Sequence, residues 1–307
     1  MQSYRLANRF LSIEVIPELG AKVVSMRNLV TNREWMWRPS ADAKLFRNQP
    51  TDSFDASTLI GADECMPTIA PCRVDGRELP DHGEVWSAPW AVDSATLSAH
   101  RIVTTIRFPI SPLELRRNVS LHENEIHFDY LLTSLSSKPE SFLWAFHPLM
   151  SLETGDCIDL PPHIRSVKVG AVKGIAGPAG DRWDWPAPVP EIRLDRIEFG
   201  SNGPAYAKLF AEFPPHTEGF AAIRKGCERL LFRFDTAQIP TVGLWFSRGA
   251  WNGYTHMAIE PANASTDLLC EVAATSHSVA EPFGQVGWQF RIVMENHPSQ
   301  VQWPSGP

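Results

Sequence analysis

The feature that most constrains this chain is a one-for-one alternation of apolar with other residues, repeated in segment after segment. Leu11, Ile13 and Val15 alternate with Ser12 and Glu14. Ile126, Phe128, Tyr130 and Leu132 point one way, with His127 and Asp129 the other. Leu230, Phe232 and Phe234 repeat the pattern, as do Trp288, Phe290, Ile292 and Met294. Successive side chains of an extended chain point to opposite faces, so each segment reads as a half-buried strand. Residues 113–121 and 126–132 flank His122-Glu123-Asn124-Glu125, which predicts a hairpin. Helical periodicity is hard to find, and 26 prolines and 19 glycines scattered along the chain break up candidate helices. Many short strands separated by turns predict an all-β sandwich or barrel. Antiparallel strands should hold more than half of the residues outside helices, with no helix above about four turns.

Residues 41–83 and 170–190 are irregular and rich in Pro, Gly or acidic residues, and read as long loops, which in compact domains are often functional. No fixed repeat, low-complexity tract or linker divides the sequence, so residues 1–307 are expected to form a single domain. Hydrophobic residues at 43% and charged residues at 21% are enough for one large core.

Charge and cysteines narrow the functional class. The net charge is −7 with no Lys/Arg stripe, which argues against nucleic acid as a partner. No apolar stretch approaches the roughly 20 residues that span a bilayer, so no membrane partner is expected. Arg5, Arg9 and Glu14 interrupt the first apolar segment, unlike a signal peptide. Cys65, Cys72, Cys157, Cys227 and Cys270 are odd in number, widely spaced and without a C-x-x-C. That pattern fits reduced thiols in the cytoplasm better than a disulfide framework or zinc knuckle.

Two segments share a layout suited to chemistry: Leu143-Trp144-Ala145-Phe146-His147-Pro148 and Met257-Ala258-Ile259-Glu260-Pro261. As strands, they turn Trp144 and Phe146, or Met257 and Ile259, toward the core. The other face then carries Ala145 with His147, and Ala258 with Glu260. A small residue beside a titratable one leaves room for a ligand, and the following Pro ends or bulges the strand. A third segment, Leu79-Pro80-Asp81-His82-Gly83-Glu84-Val85-Trp86, puts His82 and Glu84 on one face if it is extended. Taken singly, a strand histidine or a strand-end glutamate is more often structural; three with related layouts carry more weight.

With these segments in place, the sequence resembles the galactose mutarotase-like superfamily, which includes aldose 1-epimerases and hexose-phosphate epimerases. The resemblance covers most of the chain. It starts at Ile16-Pro17-Glu18-Leu19-Gly20-Ala21-Lys22 and runs through Glu34-Trp35-Met36-Trp37 and Asp81-His82-Gly83-Glu84-Val85-Trp86. It ends at Ala145-Phe146-His147-Pro148 and Ala258-Ile259-Glu260-Pro261. It implies a large antiparallel β-supersandwich with a sugar site on a concave face. It further implies Glu260 as general base, His147 as general acid and His82 as a residue that binds and orients the sugar. Asp81, Glu84, Trp86, Asp63, Glu64 and His256 complete the expected sugar-binding set, and Trp86 with Trp183 or Trp185 is a candidate for stacking on a pyranose. There are departures. The family often carries an Arg upstream of the His-Gly segment, where this sequence has the acidic Gly61-Ala62-Asp63-Glu64-Cys65-Met66-Pro67-Thr68. It also often carries a sugar-binding Asp well after the acid, and none stands around Tyr206-Ala207-Lys208-Leu209-Phe210.

Exchanging α and β anomers requires opening a hemiacetal. A base takes the C1 hydroxyl proton, an acid protonates the ring oxygen, and closure follows on the other face. A carboxylate and a histidine, with reference pKa values near ~4.3 and ~6.5, suit this work and need no metal or organic cofactor. The expected partner is a small-molecule sugar, acted on by a monomer or homodimer. Three alternatives remain open: a non-catalytic carbohydrate-binding protein on the same fold; a hexose-phosphate epimerase, with Arg73 and Arg77 as candidate phosphate contacts; and a cupin-like metal enzyme built on His82, Glu84 and His147.

Overall fold

The computed structural model of the protein describes residues 1–40, 42–50, 52–57, 59–200, 203–275 and 277–296. Among them, two antiparallel sheets carry the fold, one of eleven strands and one of eight. The only helical pieces among the described residues are four 3₁₀ turns of three residues each.

The strands that alternation predicts are present. Leu11–Ile16, Glu125–Ser134, Glu228–Asp235 and Gln285–Asn296 contain the four apolar series. Leu113–His122 and Glu125–Ser134 pair through a two-residue turn in which Glu123 has a positive φ of 51°. Burial alternates strictly along Glu125–Ser134, as it must where one face is packed and the other is wet.

The eight-stranded sheet runs Cys157–Asp159, Glu218–Lys225, Glu228–Asp235, Gln285–Asn296, Glu125–Ser134, Leu113–His122, Arg101–Arg107, Ala91–Val92. The centre of the eleven-stranded sheet runs Lys22–Asn28, Ala62–Cys65, Ala145–Pro148, Tyr254–Ala262, Thr241–Trp251, Ala205–Glu212. Aromatic rings lock the two sheets together. Phe146 sits 5.0 Å from Phe128 and 5.2 Å from Phe290, and Trp144 sits 5.3 Å from Trp288.

The central strands of the larger sheet are buried on both faces; all four residues of Ala145–Pro148 are buried. One face is covered by the second sheet. The other is covered by the segment expected to be a loop at 41–83, which is more structured than anticipated. It holds a 3₁₀ turn at Phe54–Ala56 and strands at Ala62–Cys65, Cys72–Val74 and Arg77–Leu79. Phe54 and Leu59 from this segment pack with Trp37, Trp86 and Leu149 over the sheet. The 170–190 stretch also departs from a pure loop, because Ser166–Lys173 extends into it and pairs with Arg182–Asp184.

Candidate active site

Neighbouring strands of the larger sheet set a row of charged residues side by side. Asp63 is the register partner of His147. Ala145 pairs with Ala262, so two residues along the same antiparallel register His147 stands beside Glu260. Glu260 in turn faces Gly243. Phe146 and Ile259 point into the core between the sheets, so alternation sends His147 and Glu260 to the opposite, covered face. At the ends of the row Lys22 donates to Asp63 (2.5 Å), and Lys208 reaches across Gly243 to donate to Glu260 Oε2. A glycine leaves that path uncrowded: a Cβ at position 243 would lie 3.2 Å from Glu260 Oε2 and 3.3 Å from Lys208 Nζ, close enough to press on both.

His147 Nε2 and Glu260 Oε1 are 3.6 Å apart, adjacent but beyond hydrogen-bond reach. Glu260 Oε1 and His147 Nδ1 are buried without a hydrogen-bond partner, as are both ring nitrogens of His256 and Oδ1 of Asp267. Buried polar atoms in native proteins are nearly always satisfied. Other unsatisfied atoms occur elsewhere in the molecule, but His147, His256 and Asp267 all line one cavity of about 250 Å³, a volume on the scale of one sugar ring.

Three mutually packed rings form one wall of this cavity: Tyr206 with Trp245 (5.3 Å), Tyr206 with Trp251 (5.8 Å) and Trp245 with Trp251 (5.5 Å). His82 belongs to a second wall, stacked 3.8 Å from Phe54, with Nδ1 2.7 Å from Asp81 Oδ1. The Phe54–Asp55 turn ties the two walls. Its Phe54 N–H donates to Asp81 (2.8 Å), and Asp55 accepts from the Trp251 indole (2.8 Å). Ile69, Ala70 and Asp267 close a third side.

Burial dominates the electrostatics. It pushes His147 well below the ordinary histidine range, and His82, Lys208 and His256 reinforce the shift. It lowers His256 to about 4, leaving that ring neutral at neutral pH. Burial also raises Asp55, helped by the negative charge of Asp81. For Asp81 itself burial acts upward, yet the His82 hydrogen bond and charge outweigh it and the net shift is down. Lys208 follows the same logic: burial acts to lower it, while Asp267 and Glu260 together carry it above its ordinary value.

The expected site residues divide. His82, His147, Asp81 and His256 line the cavity, with Glu260 just beneath its floor. Asp63 shares the face of His147 but is fully buried and held by Lys22. Glu64, one residue on, points the other way into the core between the sheets. There it accepts from Arg117 (2.9 Å), the Tyr130 hydroxyl (2.7 Å) and the Trp144 indole (2.8 Å). Glu84 does not share a face with His82, because the segment is not extended: His82 and Gly83 have φ of 58° and 76°. Gly83 cannot be replaced there, since a Cβ would meet the Met66 carbonyl oxygen at 2.1 Å. Glu84 instead accepts from the Ile110 N–H (2.6 Å) and the Ser111 hydroxyl (2.6 Å), so His82, Glu84 and His147 do not converge as metal ligands would. No group of three or more His, Cys, Asp or Glu among the described residues is arranged to hold a metal. Trp86 is a core residue, edge-on to Phe54 and donating to the Asp81 carbonyl (2.8 Å). Trp183 is buried against the Pro178 carbonyl, and Trp185 borders a different groove.

The residues that sequence reasoning missed are Phe54, Asp55, Tyr206, Lys208, Trp245, Trp251 and Asp267. Lys208 had a signal: it is the one charged residue inside the run Ala205–Ala211, a run too apolar to leave a lysine idle. A larger open groove of about 530 Å³ lies outside the eight-stranded sheet, but its two arginines are already engaged, Arg233 (3.2 Å) and Arg291 (3.4 Å) both with Glu218.

No protein-family model matches the sequence, and comparison with curated proteins finds no match. Solved structures do match. A galactose mutarotase related enzyme from Lactobacillus acidophilus superposes with a TM-score of 0.68 at 16% identity, covering 98% of this chain and 100% of its own. A galactose mutarotase-like protein from Clostridium acetobutylicum gives 0.67 at 14% identity, covering 95% and 94%. Another from Lactobacillus casei gives 0.65 at 15% identity, covering 96% and 100%. The supersandwich expected from the sequence is thereby found along nearly the whole chain, and its fold is the galactose mutarotase-like fold.

Proposed function

We propose that the protein is an aldose 1-epimerase-type isomerase that exchanges the α and β anomers of a sugar by acid/base ring opening. Glu260 Oε1 takes the C1 hydroxyl proton while a protonated His147 gives its proton to the ring oxygen. The ring C1–O bond breaks, C1 becomes a carbonyl, and rotation about C1–C2 precedes reclosure with the roles reversed. His82, oriented by Asp81, and the Tyr206–Trp245–Trp251 wall hold the sugar.

The observation that carries this reading is the pair of unsatisfied buried atoms, Glu260 Oε1 and His147 Nδ1, on adjacent residues, His147 lining the cavity and Glu260 directly behind it. The test is NMR exchange spectroscopy on a panel of aldoses. Glu260→Gln keeps size and hydrogen-bonding capacity but removes the basic carboxylate, so exchange should fall by at least ~10²-fold in a folded protein. His147→Asn should fall comparably, and the double variant should be little worse than the worse single one, because groups acting as a unit are not additive. Full activity in folded Glu260→Gln would place the base elsewhere.

A second reading, a non-catalytic sugar-binding protein, is favoured by one feature: Lys208 already occupies Glu260 Oε2. Saturable sugar binding without accelerated exchange across the panel would select it.

A further inference from the structure

Lys208 has no part in the proton transfers just described, yet it is among the most committed side chains in the cavity. Its side chain is 7% exposed and its ammonium donates to Glu260 Oε2. On its other side it lies 3.5 Å from Asp267 Oδ1. Among the described residues lining the cavity it is the one lysine or arginine. Its counter-anchor is fixed as well. The Asp267 carbonyl accepts from Ile69 N–H (3.1 Å), Ala70 N–H (2.6 Å) and the Thr68 hydroxyl (3.3 Å), which holds the loop after Glu260 against the loop before His82.

Resting on the acid/base reading above, we propose that Lys208 is a positioning residue: with Asp267 as a second, looser ion-pair neighbour, it fixes the Glu260 carboxylate so that Oε1 alone is presented to the sugar beside His147. The geometry carries this. A carboxylate has two basic oxygens and a rotatable terminal bond, so a single-oxygen acceptor requires something to hold the other oxygen. Lys208 holds Oε2, and Gly243 supplies the gap through which it reaches. Lys208 itself is not the base or a nucleophile, since its carboxylate neighbours keep the amine protonated.

The test compares Lys208→Met, Lys208→Arg and Asp267→Asn with wild type. Lys208→Met keeps the apolar stem and removes the charge. The expected result is a kcat loss of roughly 30- to 100-fold that exceeds any change in KM, with the acid-side limb of kcat/KM moved to higher pH. Losing a nearby cation makes a carboxylate easier to protonate. Lys208→Arg should recover part of kcat and restore the limb, and Asp267→Asn should lose less, in the same direction. A merely structural lysine would lower the urea midpoint while leaving the pH profile of the folded protein in place. Superimposable pH profiles and kcat for wild type and folded Lys208→Met would overturn the proposal.

A readout independent of turnover separates this inference from the function. In protein carrying ¹³C-carboxyl glutamate, the Glu260 signal is assigned by its absence in Glu260→Gln. At one fixed neutral pH it should move and broaden in Lys208→Met, as a carboxylate released from its ammonium partner samples more than one orientation. Coincident signals would overturn the role of Lys208 whether or not any sugar is exchanged, whereas a displaced signal alongside a wild type that exchanges no sugar would indict the proposed reaction alone. If Lys208→Met fails to fold, Asp267→Asn carries both measurements, with the same outcomes for and against.

Discussion

His147 enters the cavity with its pKa lowered chiefly by burial, reinforced by His82, Lys208 and His256. Ring opening in the proposed direction needs the imidazolium, which is populated only below that lowered pKa. The sign follows directly: kcat/KM should fall as pH rises, with its alkaline-side limb below the ordinary histidine range near ~6.5 rather than above it. A pH series of NMR exchange rates at low sugar concentration measures this for the free enzyme. A limb above about pH 7 would mean that His147 is not the group being titrated. The same burial that depresses His147 also leaves its Nδ1 and Glu260 Oε1 unsatisfied, a cost the fold sustains at a site built to receive polar groups.

At the scale of elements, the site is made by register. Ala62–Cys65, Ala145–Pro148, Tyr254–Ala262 and Thr241–Trp251 contribute one residue each to the row Asp63, His147, Glu260, Gly243, and a slip by one residue would turn every one of them to the other face. Gly243 is the test of how tightly the row is built. Gly243→Ala places a methyl 3.2–3.3 Å from Glu260 Oε2 and Lys208 Nζ, so the pair must move by a few tenths of an ångström. Overpacking of this kind costs about 1–3 kcal/mol, read from the urea midpoint. The displaced carboxylate should lower kcat by at least ~10-fold. An unchanged kcat in Gly243→Ala would show that the pair tolerates displacement and that its geometry is not critical.

Across the whole molecule, site and core share the same strands. Phe146 packs against Phe128 and Phe290 between the sheets, while its neighbour His147 faces the cavity. Truncating Phe146 to Ala should destabilise the protein by about 3–5 kcal/mol, measured by urea unfolding, because a fully buried ring between two sheets leaves a cavity that cannot collapse. Exchange activity should fall with it even in the folded fraction, since the strand that carries His147 loses its seat. A loss of less than about 1 kcal/mol would show that the two sheets repack around the gap. Two hydrogen bonds, Phe54 N–H on Asp81 and the Trp251 indole on Asp55, add to the apolar packing that seats the cover over the sheet.

The sequence by itself determined whatever depends on neighbours along the chain. Period-two alternation is a local property of an extended backbone, and it marked Glu125–Ser134, Gln285–Asn296 and the inward faces of the strands bearing His147 and Glu260. It also sent Asp63 and Glu64 to opposite faces, a consequence that became visible only when one was found paired with Lys22 and the other with Arg117. What the tertiary structure decided is whatever depends on residues far apart in sequence. Glu84 was lost to the site because two positive φ angles turn the chain at His82 and Gly83, so that extended-strand alternation no longer applies. Trp86 was lost because Phe54, thirty-odd positions away, stands between it and the cavity. Lys208 and Asp267 were gained because strand pairing and loop packing bring both to Glu260, Lys208 from a strand 52 residues away in the chain. A strand's own residues encode which way its side chains point; only the folded sheet determines what stands beside them.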